Sequence, residues 1–137
     1  MVSVTATTSN YILQPSLMDM HRRCLDWISA TLLWKREVTF FQKVLDQYSQ
    51  KYSSVDDKKQ IDHFQNLIIY YSGELIDELN RKLRTHESRL AQMLQEKNES
   101  DVQYYKEHPG LMGELSAFYE RYNSFKHEFF DFIILAM

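Results

Sequence analysis

Apolar residues near the start of the chain recur at alternating spacings of four and three, the periodicity of one buried helical face. Members of this row are Met20, Cys24, Trp27, Thr31, Trp34, Val38, Phe41, Leu45, Tyr48 and Tyr52. The row predicts one long helix from Ser16 to Tyr52, with Ser16 and Asp19 as a capping box at its first turn. A less regular second row widens the apolar face, so we expect this helix to contact at least two neighbours. That second row consists of Leu25, Ile28, Leu32, Phe40 and Val44.

A polar run from residue 53 to residue 57 separates this helix from a second periodic segment. Ser53 and Ser54 each stand three residues before an aspartate, so either can cap the new helix. The second row is Ile61, Phe64, Ile68, Tyr71, Leu75, Leu79, Leu83, His86, Leu90 and Met93. Its three successive steps of four form a stutter near Gly73, where a supercoil unwinds locally. We predict one continuous helix that ends at about Asn98.

A third periodic segment follows a break at residues 98–100 and carries the highest density of aromatic residues. Ser100 stands three residues before Gln103 and repeats the capping signature. Because proline lacks an N–H and restricts the residue before it, His108, Pro109 and Gly110 predict a kink or a brief loop. Beyond that point the row is Leu111, Leu115, Phe118, Tyr122, Phe125, Phe129, Phe132 and Ala136.

These three segments predict an all-α fold, an elongated antiparallel bundle in up-down-up order whose third helix is kinked near Pro109. The 137 residues contain 44% apolar residues but only 3 glycines and 2 prolines, too few for the turns of a β-sandwich. We expect residues 1–15 to form an N-terminal arm and residues 16–137 to form the helical bundle domain. The coiled-coil spacing predicts packing through heptad-like seams.

Charge and cysteine content limit the classes of partner and compartment. A net charge of −3 gives no reason to expect attraction to phosphate backbones, so we predict no nucleic-acid binding. We predict no membrane insertion and no secretory leader, since no apolar run approaches about 18 residues and the N-terminus lacks a basic region. The single Cys24 excludes an internal disulfide and is typical of a small buried apolar residue. A cytoplasmic protein is therefore expected.

Short catalytic motifs are missing from the sequence, which argues against an enzyme. No phosphate-binding loop, dinucleotide-binding fingerprint, His-Glu-x-x-His, nucleophile elbow or Cys-x-x-Cys occurs. The Glu-x-x-His spacing of ferritin-like metal bundles is also missing.

One constellation of histidines nevertheless suggests a metal site. Folding the helices about breaks near residues 53 and 99 brings His21, His86 and Glu114 to one level, with His108 within about two turns. His86 interrupts an apolar row, where an unpaired imidazole is costly. The mixed nitrogen and oxygen donors of His21, His86, His108 and Glu114 would suit zinc, iron or manganese. The alternative is that these histidines are hydrogen-bonded or exposed and bind nothing.

The most economical function is a protein-interaction or scaffold module. Residues 129–137 hold more apolar positions than one helical stripe can bury, so we predict a homodimer that covers them. A protein partner of another kind is an alternative occupant. A metal-binding bundle is the alternative function.

Overall fold

The computed structural model describes residues 7–8, 11–12, 15–98 and 102–137. Within these ranges almost all of the chain is helical, which confirms the predicted all-α bundle of three long helical segments. The helices are α1 (Pro15–Tyr48), followed by a 3₁₀ turn (Ser49–Lys51), α2 (Val55–Tyr70), a π turn (Tyr71–Leu75), α3 (Ile76–Gln95) and α4 (Val102–Ile134). Two two-residue strands, β1 (Thr7–Thr8) and β2 (Tyr11–Ile12), pair antiparallel, and β1 lies beside α3.

Local chemistry at the helix starts agrees with the sequence in one place and departs from it in another. The Ser54 side chain accepts a hydrogen bond from the Asp57 N–H at 3.0 Å, so Ser54 caps α2. The prediction that Ser16 caps the first helix was wrong, because α1 already begins at Pro15. Proline is favourable at a first helical position, where its missing N–H would have had no partner. Ser100 lies outside the described residues.

A π turn accommodates the irregular spacing in the second helical segment. The sequence placed Leu75 in the buried row, but Leu75 is only half-buried and Ile76 takes the core position. The turn at Tyr71–Leu75 inserts one extra residue between Tyr71 and Ile76, after which alternating steps of three and four resume. The α2, π-turn and α3 segments therefore form one continuous helical rod, which we call the second rod (residues 55–95).

The second rod ends three residues earlier than predicted because its last turn closes on itself. The N–H groups of Lys97 and Asn98 donate to the carbonyls of Leu94 and Met93, at 3.1 and 2.9 Å. This pair of bonds, with Lys97 at φ 54°, is a Schellman motif. It satisfies carbonyl groups that would otherwise lack partners at the end of α3.

The predicted interruption at Pro109 is absent, since α4 continues through Pro109 from Val102 to Ile134. A brief loop at this position is therefore wrong, and the kink stays a prediction. Pro109 is exposed, so the carbonyl that loses its N–H partner can be hydrated. His108 consequently sits within a helix rather than on a loop.

Contacts between the helices follow the order of antiparallel neighbours. His21 near the start of α1 contacts Glu87 near the end of the second rod, whereas Gln42 contacts Gln65 near the rod's start. The second rod and α4 also run in opposite order. Phe64 near the start of the rod contacts Phe129, whereas Arg89 near its end pairs with Glu107. The main core joins all three segments, and among its described buried residues eight are aromatic: Trp34, Phe41, Phe64, Tyr71, Phe118, Tyr122, Phe125 and Phe129.

Two expectations about apolar coverage need correction. The helix α1 contacts both the second rod and α4, as expected, but of its second row only Ile28 and Val44 pack against the core. The other three members, Leu25, Leu32 and Phe40, are exposed. Within residues 129–137, where the sequence predicted an excess of apolar positions on the surface, Ile133 is buried in the bundle, whereas Ile134 beside it is exposed. Which apolar residues of α1 and α4 face outward is thus decided by how the helices pack against one another. Among the described helices, none combines the length and apolar character needed to cross a membrane.

Candidate metal centre

Three metal-ligating side chains meet inside the bundle, one from each long helical segment. Cys24 comes from α1, His86 from α3 and His108 from α4, and all three are buried. One donor atom from each residue lies within 4.8 Å of the other two. Cys24 and His86 are buried because each belongs to a helical row of otherwise apolar residues that faces the core. The bundle therefore brings a sulfur and two imidazole nitrogens to one point.

The two histidines form a stacked, hydrogen-bonded pair. His86 Nε2 and His108 Nδ1 are 3.0 Å apart, so one ring donates and the other accepts. The ring of Tyr104 stacks on His86 with a centroid separation of 4.0 Å and an interplanar angle of 5°. Burial lowers the pKa of His86 to about 4, and the neighbouring His108 contributes to that shift. Burial also lowers the pKa of His108. Both rings are neutral at pH 7, the form of imidazole that binds metals.

The Cys24 thiol lies beside a buried carboxylate. Burial, and after it the negative charge of Glu87, raise the pKa of Cys24 to about 12. Burial likewise raises the pKa of Glu87, opposed by His21, whose Nδ1 lies 2.6 Å from Glu87 Oε2. The second oxygen, Glu87 Oε1, is buried without a hydrogen-bond partner of regular geometry among the described residues. A second donor type, oxygen, thus lies at the edge of the sulfur and nitrogen cluster.

Two of the four sequence-predicted ligands are in this cluster and two are elsewhere. His86 and His108 meet as expected from their common level. His21 instead pairs with Glu87, and Glu114 pairs with Lys82 at 2.9 Å on the surface. Glu114 is six residues beyond His108, which corresponds to about 9 Å along a helix axis. The structure therefore replaces His21 and Glu114 with Cys24.

A difference in register accounts for this exchange. The sequence mapping placed position i of the first helix level with about 92 + i of the third, whereas Trp34 contacts Phe118 and Tyr122, and Phe41 contacts Phe129. The third helix is displaced by about one to two turns relative to the mapping. Cys24 was left out because a lone buried cysteine is most often an apolar core residue. Its position on the buried row of α1, one turn beyond His21, was the signal that could have identified it.

The two imidazole nitrogens already have nearly the separation that a tetrahedral transition metal requires. With zinc–nitrogen bonds of about 2.0 to 2.1 Å, two imidazole ligands lie about 3.3 Å apart, close to the observed 3.0 Å between His86 and His108. Metal binding would replace their hydrogen bond, and each ring would keep its proton on its other nitrogen. Three protein donors would leave the fourth coordination position of a tetrahedral metal open. Glu87 does not fill it in this structure, since it lies outside the 4.8 Å group.

A surface cleft of about 420 Å³ reaches one member of the cluster. Its lining includes His86, Glu107 and Glu114, together with Arg81 and Lys82. The cleft therefore opens beside His86, and Glu114 lies on its wall rather than in the cluster.

Two basic residues of the second rod pair with acidic residues of α4. Lys82 contacts Glu114, and Arg89 contacts Glu107 at 3.4 Å. Between α1 and α4, Glu37 accepts a hydrogen bond from the Tyr122 hydroxyl at 2.9 Å and pairs with Lys126.

Comparisons with known proteins add no assignment to this geometry. No protein-family model matches the chain, and neither the curated proteins nor the solved structures that were searched include a match.

Proposed function

We propose that this protein is a metal-binding helical bundle that holds one divalent transition metal, zinc in the first instance, through Cys24, His86 and His108. One observation carries the proposal: each of the three long helical segments places one buried donor within 4.8 Å of the other two. Such a metal links all three segments, so its binding energy adds to the stability of the fold. We also assign the protein to a reducing, cytoplasmic compartment, where a free thiolate ligand persists.

The protonated thiol determines which metals can bind. At pH 7 a thiol with a pKa of about 12 costs about 7 kcal/mol to ionise, at 1.36 kcal/mol for each pH unit. In zinc-finger peptides with four ligands, zinc binding contributes about 10 to 16 kcal/mol at pH 7 with thiol ionisation already included, so the raised pKa of Cys24 reduces the gain expected here. Hard cations such as Mg²⁺ and Mn²⁺ prefer oxygen and gain little from a thiolate. The Cys24 sulfur therefore favours zinc, or Co²⁺ as its spectroscopic substitute, over the manganese considered from the sequence.

The competing interpretation is a polar layer that binds nothing. In that case His86 and His108 satisfy each other inside the bundle, and Tyr104 stacking fixes their orientation. His86→Leu would then restore an apolar row but leave His108 without its imidazole partner, at a cost of about 1 to 3 kcal/mol. Chelators would have no effect on either protein.

The test combines metal analysis with a conservative ligand variant. Protein purified without chelator is analysed for zinc, iron, cobalt and nickel, and its melting temperature is measured with and without a chelator. Cys24→Ser replaces only the sulfur with oxygen. The serine hydroxyl, like the thiol, is a hydrogen-bond donor beside Glu87. His63→Ala serves as the control, since His63 is exposed on α2.

We expect about one metal per chain in the wild type and in His63→Ala, with a lower melting temperature after chelation. Cys24→Ser should lose most of the metal and its sensitivity to chelator. Metal-free protein loaded with Co²⁺ should show a thiolate-to-cobalt charge-transfer band that Cys24→Ser lacks. A wild type that purifies without metal, takes up neither zinc nor cobalt and ignores chelator would refute the proposal.

A protein-interaction or scaffold role is the second candidate function. The exposed apolar row on α1 supports it, because the described residues leave that row uncovered.

A further inference from the structure

The outward face of α1 carries an apolar row that no described residue covers. Its four members are roughly half exposed, a large fraction for side chains of this size: Leu25 46%, Leu32 51%, Leu33 56% and Phe40 60%. At 100° per residue, all four project within an arc of about 100° on the helix. The row is therefore one continuous stripe on the side of α1 that faces away from the second rod and α4.

The spacing of this stripe is self-complementary. Leu25 and Leu32 are seven residues apart, as are Leu33 and Phe40, so each pair has heptad spacing. Leu25 and Phe40 also lie at equal distances along α1 from the midpoint between Leu32 and Leu33. A second copy of α1, antiparallel about a two-fold axis at that midpoint, would place Leu25 opposite Phe40 and Leu32 opposite Leu33. A two-fold interface requires a surface of this kind.

Polar residues within the stripe fit the same axis. Ser29 and Arg36 are exposed in the middle of the stripe, and the two-fold axis would place each opposite the other. At the far ends, Arg22 would meet Lys43, a like-charge contact that limits the length of the interface along α1.

We propose that this protein forms a two-fold homodimer in which α1 packs antiparallel against α1 of a second copy through Leu25, Leu32, Leu33 and Phe40. This surface differs from the end of α4 that the sequence suggested, and it is independent of the metal site. An interface built on one helix face is smaller than the 20 to 30 residues per side of standard interfaces. The dimer is accordingly weak and depends on concentration.

Sedimentation across about a hundredfold range of concentration tests the surface. Three variants place the same charge at similarly exposed positions on three helices: Leu33→Glu on α1, Ile69→Glu on α2 (59% exposed) and Ile134→Glu on α4 (62% exposed). Glutamate is a good helix former, so each variant should keep the wild-type helical circular dichroism. We expect Leu33→Glu alone to weaken the dimer, by about tenfold or more, since it places two charges near the axis.

The antiparallel register has its own test at Ser29. In the proposed register Ser29→Glu adds an attraction to Arg36 of the second copy, whereas Ser29→Lys adds a repulsion. We expect the first variant to tighten the dimer several-fold and the second to loosen it by a similar factor. Equal effects of the two would show a different register.

Several outcomes would overturn the proposal. A wild type that stays monomeric over the whole range excludes the dimer, and binding of α1 to another partner would then need its own demonstration. Dissociation by Ile134→Glu rather than Leu33→Glu places the interface at the end of α4. Dissociation by Ile69→Glu places it on α2.

Discussion

Replacing Trp34 with alanine tests whether the aromatic centre of the bundle carries most of its stability. Trp34 lies almost fully buried near the middle of α1. Its ring is within 5.0 to 6.2 Å, centroid to centroid, of four other rings: Phe118, Tyr122, Trp27 and Tyr119. These contacts join α1 to α4, so removing the ring leaves a cavity between two of the three helical segments.

The expected loss of stability is about 3 to 5 kcal/mol, the range for truncating a buried large aromatic residue to alanine. Domains of this size are stable by about 5 to 15 kcal/mol, so the variant should still fold with a much smaller margin. With a urea dependence of about 2 kcal/mol per molar, the unfolding midpoint should fall by about 2 M. Circular dichroism is the suitable probe, because the substitution removes one of the two tryptophans.

Leu33→Ala provides a matched control one residue away. Leu33 is exposed, about 100° around α1 from Trp34, so its truncation should change the unfolding free energy by no more than about 0.5 kcal/mol in the monomer. Both proteins are compared at a concentration low enough to suppress association. A loss below about 1 kcal/mol for Trp34→Ala, or a loss for Leu33→Ala of similar size, would contradict the assignment of the two faces.

Three further predictions concern single groups. Ser54→Ala should lower the unfolding free energy by about 1 kcal/mol through loss of the α2 cap, whereas Ser53→Ala should change it by less than about 0.5 kcal/mol; equal losses would contradict the capping assignment. Lys97→Gly should stabilise the protein by up to about 1 kcal/mol, since the φ of 54° penalises a side chain, and Lys97→Ala should give no such gain in urea unfolding. In metal-free folded protein at pH 8, about one Cys24 thiol in ten thousand is ionised at a pKa of about 12, so labelling by a thiol reagent should be no faster than unfolding; rapid stoichiometric labelling would contradict this.

The sequence was sufficient to predict the bundle because the signals that define it are local. Alternating spacings of three and four identify helical faces without reference to their partners, and a serine three residues before an acid marks a helix start. Thr31, the one polar member of the first row, is buried as that row requires. Its hydroxyl donates to the Ile28 carbonyl at 2.7 Å and accepts from Asn80 Nδ2 at 2.8 Å. A polar side chain can therefore continue an apolar row when a facing residue satisfies it.

The differences arise where a neighbouring element decides between two local solutions. Two arrangements fit the sequence about equally well. In one, successive steps of four bury Leu75; in the other, one inserted residue buries Ile76 instead. Packing against α1 selects the inserted residue, and with it the π turn. At Pro109 the local rule favours a break, but buried residues on both sides hold α4 together as one helix, including Tyr104, His108, Leu111 and Leu115.

The candidate metal centre shows how sensitive a site in a bundle is to register. His86 and His108 were identified because both lie near one level, and an error of about one to two turns leaves them neighbours. That same shift decides whether the third donor is the nitrogen of His21 or the sulfur of Cys24. The identity of that donor has chemical consequences, since a thiolate favours zinc and a carboxylate such as Glu114 favours harder cations. Apolar packing tolerates a shift of one turn because neighbouring seam positions are also apolar, but coordination requires donor atoms within about 0.2 Å of their bonding distances. Retention of one zinc per chain by wild-type protein, and its loss in Cys24→Ser, would therefore test the register of α1 against the other two segments as directly as it tests the function.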